Sequence, residues 1–198
     1  MMKAVIFDLG GVIVDINSFV DEVLTVFQPV NEDEFWEEVN IEAASLCKGE
    51  VSLLQFWRNV AQKWGKDIPD NILKDLWVID SQSPPCLNEG MQEIIMSLKQ
   101  NYKLAILSNT MREHKIDKRG IFELFDVIIL SYEVGLTKDD KAVFLLAADK
   151  LGVTPQECVF IDDIHQFVEV AQSVGMKGIL YENVEHLQSD LRKWGVTV

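Results

Sequence analysis

The chain has 198 residues, 48% of them hydrophobic, which suits one domain with a substantial core and a smaller insertion. Its 32 acidic and 18 basic side chains give a net charge of -14. This charge disfavours nucleic-acid binding, because it repels the phosphate backbone. Small anionic substrates remain compatible with it, since a bound cation reverses the field locally. The three cysteines, an odd number without metal-type spacing, predict packing residues in a reducing cytoplasm rather than disulfides.

The first predicted element is a buried strand from Ala4 to Phe7. It ends in Asp8 followed by Leu9-Gly10-Gly11, so a carboxylate stands at a strand end beside a backbone that can bend around a ligand. Two interpretations stay open here, a nucleophile that attacks phosphorus and a turn-forming aspartate. The apolar run before Asp8 is too short for a signal peptide or a membrane span, which predicts a protein without membrane association.

Residues 17–85 break the alternation of strands and helices and predict a helical insert, in which apolar residues recur at helical spacing. Four of the five tryptophans fall in it and are expected to form its own core: Trp36, Trp57, Trp64 and Trp77. Ser83-Pro84-Pro85 are expected to end it. The predicted division is a core of residues 1–16 and 86–198 with an insert of residues 17–85. One turn of the insert is either solvated or in contact with a ligand, and its polar side chains beside Gly49 are Lys48, Glu50 and Ser52.

Four more strands follow the insert. They are predicted at Leu104 to Leu107, Val127 to Leu130, Cys158 to Ile161 and Gly178 to Tyr181, with helices at Glu89 to Lys99 and Lys141 to Leu151. Their apolar character is continuous rather than alternating, which indicates strands covered on both faces and hence a parallel α/β sheet flanked by helices. Residues after Trp194 are expected to fray.

Polar side chains follow the later strands at the sheet edge where parallel sheets bind ligands. Ser108 and Asn109 can hold phosphate oxygens at a strand-to-helix turn or, alternatively, cap the helix. Lys138, at the next crossover, can hold a phosphoryl group or be an ordinary surface lysine. Asp162 and Asp163 repel each other unless a cation lies nearby, and Mg²⁺ prefers such oxygen ligands. Together with the aspartate after the first strand, these elements predict a phosphate and metal site.

With these motifs the sequence resembles the haloacid dehalogenase-like (HAD) hydrolase superfamily, whose motifs are an Asp-x-Asp strand end, a Ser or Thr, a Lys and an acidic pair. The resemblance covers nearly the whole chain and implies a Rossmann-like fold in which the insert is a helical cap. It implies Asp8 as nucleophile, Lys138 as the motif lysine, substrate contacts from Ser108, Asn109, Gly10 and Leu9, and Mg²⁺ held by Asp8, the Gly10 carbonyl, Asp162 and Asp163. The implied activity is Mg²⁺-dependent hydrolysis of a small phosphorylated metabolite, such as a sugar phosphate, through an aspartyl-phosphate.

The chain departs from this pattern at Gly10, where phosphatases of the superfamily carry a second Asp that protonates the leaving oxygen. Loss of general acid-base catalysis would slow turnover by about 10² to 10⁴-fold. The bacterial glucose-1-phosphate phosphatases, a subgroup similar to this chain, also have Gly there, and a sugar 1-phosphate has a better leaving group than a simple alcohol. We hypothesise that Asp15, His114 or His165, near motif ends, partly substitutes.

Two other functions compete with a phosphatase. A metal-free dehalogenase also lacks the second Asp, but it has no need of Asp162 and Asp163, and it would need an arginine soon after the first motif, whereas Arg58 is the first in this chain. A non-catalytic member of the superfamily, which binds a phosphorylated ligand or a partner, is favoured by Gly10. The retained Asp8 and Lys138 argue against it.

Overall fold

The computed structural model describes residues 1–78, 86–114 and 120–198, apart from the side chains of residues 17–19. Its strands are β1 (Ala4–Phe7), β2 (Lys103–Ser108), β3 (Val127–Leu130), β4 (Cys158–Asp162) and β5 (Lys177–Leu180). Its α-helices are α1 (Asn17–Phe27), α2 (Glu32–Cys47), α3 (Leu53–Lys63), α4 (Asp70–Leu73), α5 (Met91–Lys99), α6 (Ser131–Val134), α7 (Lys141–Leu151), α8 (His165–Ser173) and α9 (Val184–Lys193). Each predicted strand agrees with an observed strand to within one residue at either end.

The five strands form one parallel sheet in the order β3-β2-β1-β4-β5, which confirms the predicted α/β class. The chain starts at the centre of the sheet, adds β2 and β3 on one side, and then crosses over to add β4 and β5 on the other. The strand order therefore reverses between β1 and β4, and ligands bind at the carboxyl ends of strands at such a reversal. Backbone pairing continues beyond β1, since the Asp8 N–H donates to the Ile161 carbonyl at 2.9 Å.

The sheet is buried on both faces, which explains the unbroken apolar character of its strands. Val5 and Phe7 of β1 pack in an apolar cluster with residues of α5 and α9. Ala4 and Ile6 face the other way and pack with residues of α7. All four side chains are inaccessible to solvent.

Helices α1 to α4 share a third apolar cluster. As predicted, the tryptophans take part in it: Trp57 is fully buried, and Trp36, Trp64 and Trp77 pack against the cluster. Among the described residues, Met111 is its one buried member from outside residues 17–78. The predicted stop at Ser83-Pro84-Pro85 lies outside the described residues, and the division at residues 17–85 stays a prediction.

Two predictions about packing are wrong. Cys86 is exposed, because its backbone rather than its side chain contacts the segment after the first motif. The Cys86 carbonyl accepts from the Asp15 N–H at 2.9 Å. The last residues do not fray, since Val196 is buried against the apolar cluster of α9 and its N–H donates to the Leu191 carbonyl at 3.0 Å. Across the described ranges, every helix falls short of the length and apolar character needed to cross a bilayer.

Candidate active site

Lys138 forms buried ion pairs with carboxylates that follow or end two neighbouring strands. Its Nζ lies 2.8 Å from Asp8 Oδ1 and 2.6 Å from Asp162 Oδ2. The lysine is 2% exposed, so the alternative of an ordinary surface lysine is excluded. The ring centroid of Phe167 lies 4.8 Å from the same Nζ, which adds a cation-π contact. The loop before α7 thus delivers a cation to the strand reversal between β1 and β4.

The site holds more negative than positive charge. Burial raises the pKa of Asp8 to about 7, although Lys138 acts in the opposite direction, and Asp162 adds to the rise. Burial alone would lower the pKa of Lys138, but Asp8 and Asp162 raise it above its usual value. Partial desolvation and the nearby Asp162 raise the pKa of Asp163. One lysine does not offset three carboxylates, and a divalent cation among them would restore the ionised form of Asp8.

The acidic residues fit a divalent cation. Asp8, Asp162 and Asp163 each offer a carboxylate oxygen, and these oxygens lie within 4.8 Å of one another. Both oxygens of Asp162 already have partners, Oδ2 at Lys138 and Oδ1 accepting from the Ile164 N–H at 2.8 Å. Asp8 and Asp163 therefore have more capacity for an ion than Asp162 has.

The turn after Asp8 leaves backbone groups available at the site. The Leu9 carbonyl accepts from the N–H groups of Ile13 and Val14, and the Gly11 carbonyl accepts from Asn88 Nδ2 at 3.0 Å. No such bond to the Gly10 carbonyl occurs among the described residues, so this oxygen is free for an ion. The Leu9 side chain is buried in the core, and any contact with substrate would come from its backbone N–H.

Gly11 allows Asp163 to come close. Its φ of +82° lies in the left-handed region that favours glycine. A Cβ atom there would lie only 2.3 Å from Asp163 Oδ2, closer than atoms can approach. The glycine at position 11 thus allows the Asp163 carboxylate to keep this position, because a Cβ atom there would force the carboxylate to shift.

The loop after β2 combines a free hydroxyl with a network of fixed groups. Ser108 is buried, and its hydroxyl makes no hydrogen bond within the described residues, which leaves it available to a phosphate oxygen. Asn109 Oδ1 accepts from the Lys138 backbone N–H at 2.9 Å, so this side chain positions the lysine loop. The Thr110 N–H donates to Ser131 Oγ at 2.9 Å, and the Ser131 hydroxyl donates back to the Thr110 carbonyl.

The three residues considered as substitute acid-base groups lie in different surroundings. His165 is exposed, with its Nδ1 3.8 Å from Glu169 Oε2, and Asp15 is exposed as well. His114 Nε2 lies 2.6 Å from the Trp77 carbonyl and Nδ1 lies 2.8 Å from Thr110 Oγ1. Because a carbonyl only accepts, Nε2 carries the proton and the Thr110 hydroxyl donates to Nδ1. Burial lowers the pKa of His114, which fits this neutral tautomer, and neither ring nitrogen is free to transfer a proton.

The polar turn of the insert has structural partners. Lys48 Nζ lies 3.8 Å from Asp140 Oδ2, and Ser52 caps α3 by accepting from the Gln55 N–H at 3.2 Å. Glu50 is exposed. Burial raises the pKa of the Cys47 thiol, just before this turn, to about 11. The positive charge of Lys138 has a smaller effect in the opposite direction.

Two residues at the site were not singled out from the sequence. Ser131 directly follows β3, so the rule that pointed to the ends of β1, β2 and β4 could have found it. Ile16 gave no such signal, because it is an aliphatic residue among others. Its Cγ2 lies 3.2 Å from the place that a Cβ atom would take on Gly10.

Comparison with known proteins places these motifs in a family context. The sequence pattern of the haloacid dehalogenase-like hydrolases matches residues 2–175. D-ribitol-5-phosphate phosphatase of Bacteroides thetaiotaomicron is 24% identical over 202 residues, covering 92% of this chain and 93% of that protein. Flavin mononucleotide hydrolase 1 of Arabidopsis thaliana is 31% identical over 113 residues, but the match spans 56% of this chain and only 46% of the plant protein.

A solved structure supports the fold. The HAD family enzyme of Bacteroides thetaiotaomicron in complex with magnesium and inorganic phosphate superposes with a TM-score of 0.68 at 23% identity. The superposition covers 94% of this chain and 99% of that one. At this level of identity the likeness concerns the arrangement of strands and helices.

Proposed function

Because its sequence matches the family pattern over residues 2–175, the chain belongs to the haloacid dehalogenase-like hydrolases, and on that premise we propose that it hydrolyses phosphate monoesters of small metabolites with Asp8 as nucleophile. The observation that carries the proposal is the buried Asp8, paired with Lys138 and clustered with two further carboxylates. A buried, charge-paired acid at the carboxyl ends of parallel strands is where a reactive group is expected.

Each residue of the site has a separate role in the proposed reaction. The Asp8 carboxylate forms a bond to phosphorus while the ester P–O bond breaks and the leaving oxygen keeps the bonding pair. Lys138 offsets the charge on the phosphoryl oxygens, and the free Ser108 hydroxyl and Leu9 N–H donate hydrogen bonds to them. Water then attacks phosphorus while the P–O bond to Asp8 breaks, which releases phosphate and the free carboxylate of Asp8. The attacking water gives up a proton and the leaving oxygen takes one up through solvent, since position 10 carries no acid-base group.

We propose Mg²⁺ as the cofactor, held by Asp8, Asp163 and the Gly10 carbonyl. Asp162 adds a further negative charge beside them, although both of its oxygens already have partners. The excess negative charge of the cluster and the free Gly10 oxygen support this assignment. Bound there, Mg²⁺ supplies positive charge against the phosphate group. The same cluster argues against a metal-free dehalogenase, since a halide-releasing site has no need of three carboxylates around one lysine.

Sugar or polyol phosphates are the proposed substrates, with the insert of residues 17–85 acting as a cap that selects among them. The likeness to a D-ribitol-5-phosphate phosphatase over nearly the full length of both chains supports this class. The cytoplasm is the proposed compartment. Three free cysteines, Cys47, Cys86 and Cys158, suit its reducing conditions.

The direct test measures phosphate release from a panel of sugar and polyol phosphates and an activated aryl phosphate, with Mg²⁺ and with chelator. Release that requires Mg²⁺ is expected. Failure of every ester, despite bound Mg²⁺, would favour the non-catalytic binding protein. Release that is equally fast in chelator would contradict the metal site.

Asp163→Asn tests the assigned ligands. This variant is expected to raise the Mg²⁺ concentration for half-maximal release at least about tenfold, because one of the carboxylates best placed for the ion is lost. Asp190→Asn on α9 is the matched control, since it removes the same charge from a surface pair with Lys193. Calorimetric titration of Mg²⁺ into both variants measures the affinity. Equal affinities would show that Asp163 is not a ligand.

Gly10→Asp tests whether the missing acid-base group limits turnover. The φ of Gly10 is not positive, so its backbone accepts a side chain, but the new Cβ would lie 3.2 Å from Ile16 Cγ2. We therefore expect little gain from Gly10→Asp alone. Gly10→Asp with Ile16→Ala is expected to raise kcat about 10²-fold on alkyl phosphates, the lower end of general acid catalysis. Ile16→Ala alone is the control, and a double variant no faster than this control would contradict the idea.

A further inference from the structure

The segment that follows the Ser108-Asn109-Thr110 loop contacts the helical insert through four consecutive residues. We name residues 111–114 the docking strip. Met111 is 2% exposed and lies in the apolar cluster of α1 to α4. The Arg112 guanidinium lies against Gly49, with Nε 3.3 Å from the place of a Cβ atom there.

The other two residues of the docking strip bind backbone groups of the insert. Glu113 Oε1 accepts from the N–H of Leu53, the first residue of α3, at 3.2 Å. A carboxylate at this end of a helix also interacts favourably with the helix dipole. His114 Nε2 donates to the carbonyl of Trp77, at 2.6 Å. Trp77 has a φ of +65°, which is uncommon for a residue other than glycine. The carbonyl that His114 binds therefore belongs to a residue with an unusual backbone conformation.

A continuous path joins these contacts to the proposed phosphate site. The Thr110 hydroxyl donates to His114 Nδ1 at 2.8 Å, which leaves the Nε2 proton for Trp77. Thr110 is in turn fixed to the start of α6 by its two hydrogen bonds with Ser131. The loop proposed to hold the phosphate and the contacts that hold the insert are therefore parts of one short segment.

We propose that Glu113 and His114 are positioning residues that hold the helical insert in register over the site, so that it contacts the part of the substrate beyond the phosphate. The proposal rests on the proposed phosphatase function for its kinetic consequence. Loss of the docking strip should reduce turnover of sugar or polyol phosphates, because on this proposal the insert contacts their part beyond the phosphate. An activated aryl phosphate depends on Asp8 and on its own leaving group, and its turnover should change little.

His114 offers a matched pair of variants. The side-chain amide of His114→Gln reaches the position of Nε2 and can still donate to the Trp77 carbonyl. His114→Asn is one bond shorter, so it can still accept from Thr110 but cannot reach Trp77. For the other contact, Glu113→Gln keeps an oxygen for the Leu53 N–H and Glu113→Ala removes it.

The first measurement is the ratio of kcat/KM for the best sugar or polyol phosphate to kcat/KM for the aryl phosphate. His114→Asn and Glu113→Ala should each lower this ratio about tenfold, the effect of one lost hydrogen bond in a positioned contact. His114→Gln and Glu113→Gln should stay within about threefold of the parent. Equal ratios in all four variants and the parent would overturn the proposal.

The second measurement does not need activity. Hydrogen exchange followed by mass spectrometry should show faster exchange over residues 46–78 in His114→Asn than in His114→Gln, with the sheet unchanged in both. Unchanged exchange in residues 46–78 would overturn the proposed positioning role of the docking strip, even if the enzyme is active. In a further outcome, the parent hydrolyses no ester while exchange in the insert is still faster in His114→Asn than in His114→Gln. That result would contradict the proposed phosphatase function and support the positioning role of the docking strip.

Discussion

Asp8→Asn is expected to lower Mg²⁺-dependent phosphate release on the order of 10⁴-fold or more, because the amide cannot form the bond to phosphorus. The side chain keeps its size, and its oxygen can still accept from Lys138, so the buried site should stay packed. The measurement is the initial rate of phosphate release at saturating Mg²⁺, with the melting temperature as a control of folding. A folded variant that keeps more than about 1% of the parental rate would remove Asp8 from its role.

The same variant has an expected signature in stability. Asp8 has a pKa of about 7 in the folded protein against an ordinary value of 3.8, so between these values the folded state binds the proton more tightly than the unfolded state. Folding without metal is therefore stabilised by the protonated acid at low pH, and this contribution is lost as pH rises toward 7.

Asp8→Asn lacks this titration. In chelator its melting temperature should exceed that of the parent at pH 8, and the difference should shrink toward pH 5. Mg²⁺ should reverse the order at pH 8, because the ion stabilises the ionised carboxylate of the parent. A difference that is independent of pH would contradict the raised pKa of Asp8.

Lys138→Met is expected to destabilise the metal-free protein by about 3–5 kcal/mol, because it leaves two buried carboxylates without their cation. The methionine replaces the apolar stem of the lysine, so the loss reports mainly the charge. Urea unfolding in chelator measures the change. Added Mg²⁺ should recover part of the stability, whereas turnover should remain about 10² to 10³-fold below the parent even at saturating metal.

Lys177→Met is the matched control for this variant. Lys177 also lies over an aromatic ring, with Nζ 4.8 Å from the centroid of Trp194, but in the described ranges it has no carboxylate partner. It is expected to change stability by no more than about 0.5 kcal/mol. Equal losses in the two variants would mean that the cation-π contact, rather than the ion pairs with Asp8 and Asp162, determines the effect.

The sheet could be predicted because its strands carry their own signal. A strand that is buried on both faces, such as Cys158–Asp162, is a short run of apolar residues without polar alternation. This pattern differs from that of the helices, in which apolar residues recur every three or four positions. The same sequence also indicated where ligands bind, since polar residues directly after such strands share one edge of a parallel sheet. This reasoning placed Asp8 and Asp162 at one edge of the sheet, where both carboxylates contact Lys138. Ser108 ends β2, the strand beside β1, and its contact with phosphate stays a prediction.

The rest depends on contacts between distant segments. Lys138 is followed by Asp139, Asp140 and Lys141, which is a typical surface sequence, and its burial arises only when the loop folds over the ends of β1 and β4. The substrate contact of Asn109 stays a prediction, but no local pattern indicated that its side-chain Oδ1 accepts from the backbone N–H of Lys138, 29 residues away. Cys86 is exposed because backbone pairing with Asp15 places it at the surface, and no local pattern encodes that pairing.

The close approach of Asp163 to Gly11 has a consequence for how such a site can be lost. Any side chain at position 11 would displace the Asp163 carboxylate, so substitution of a residue that binds nothing could weaken metal affinity as much as loss of Asp163 itself, while every proposed ligand is retained. Among homologues of this chain, an intact set of aspartates is therefore an incomplete criterion for activity. The residue at position 11 is informative as well, because a side chain there would shift the carboxylate of one proposed Mg²⁺ ligand.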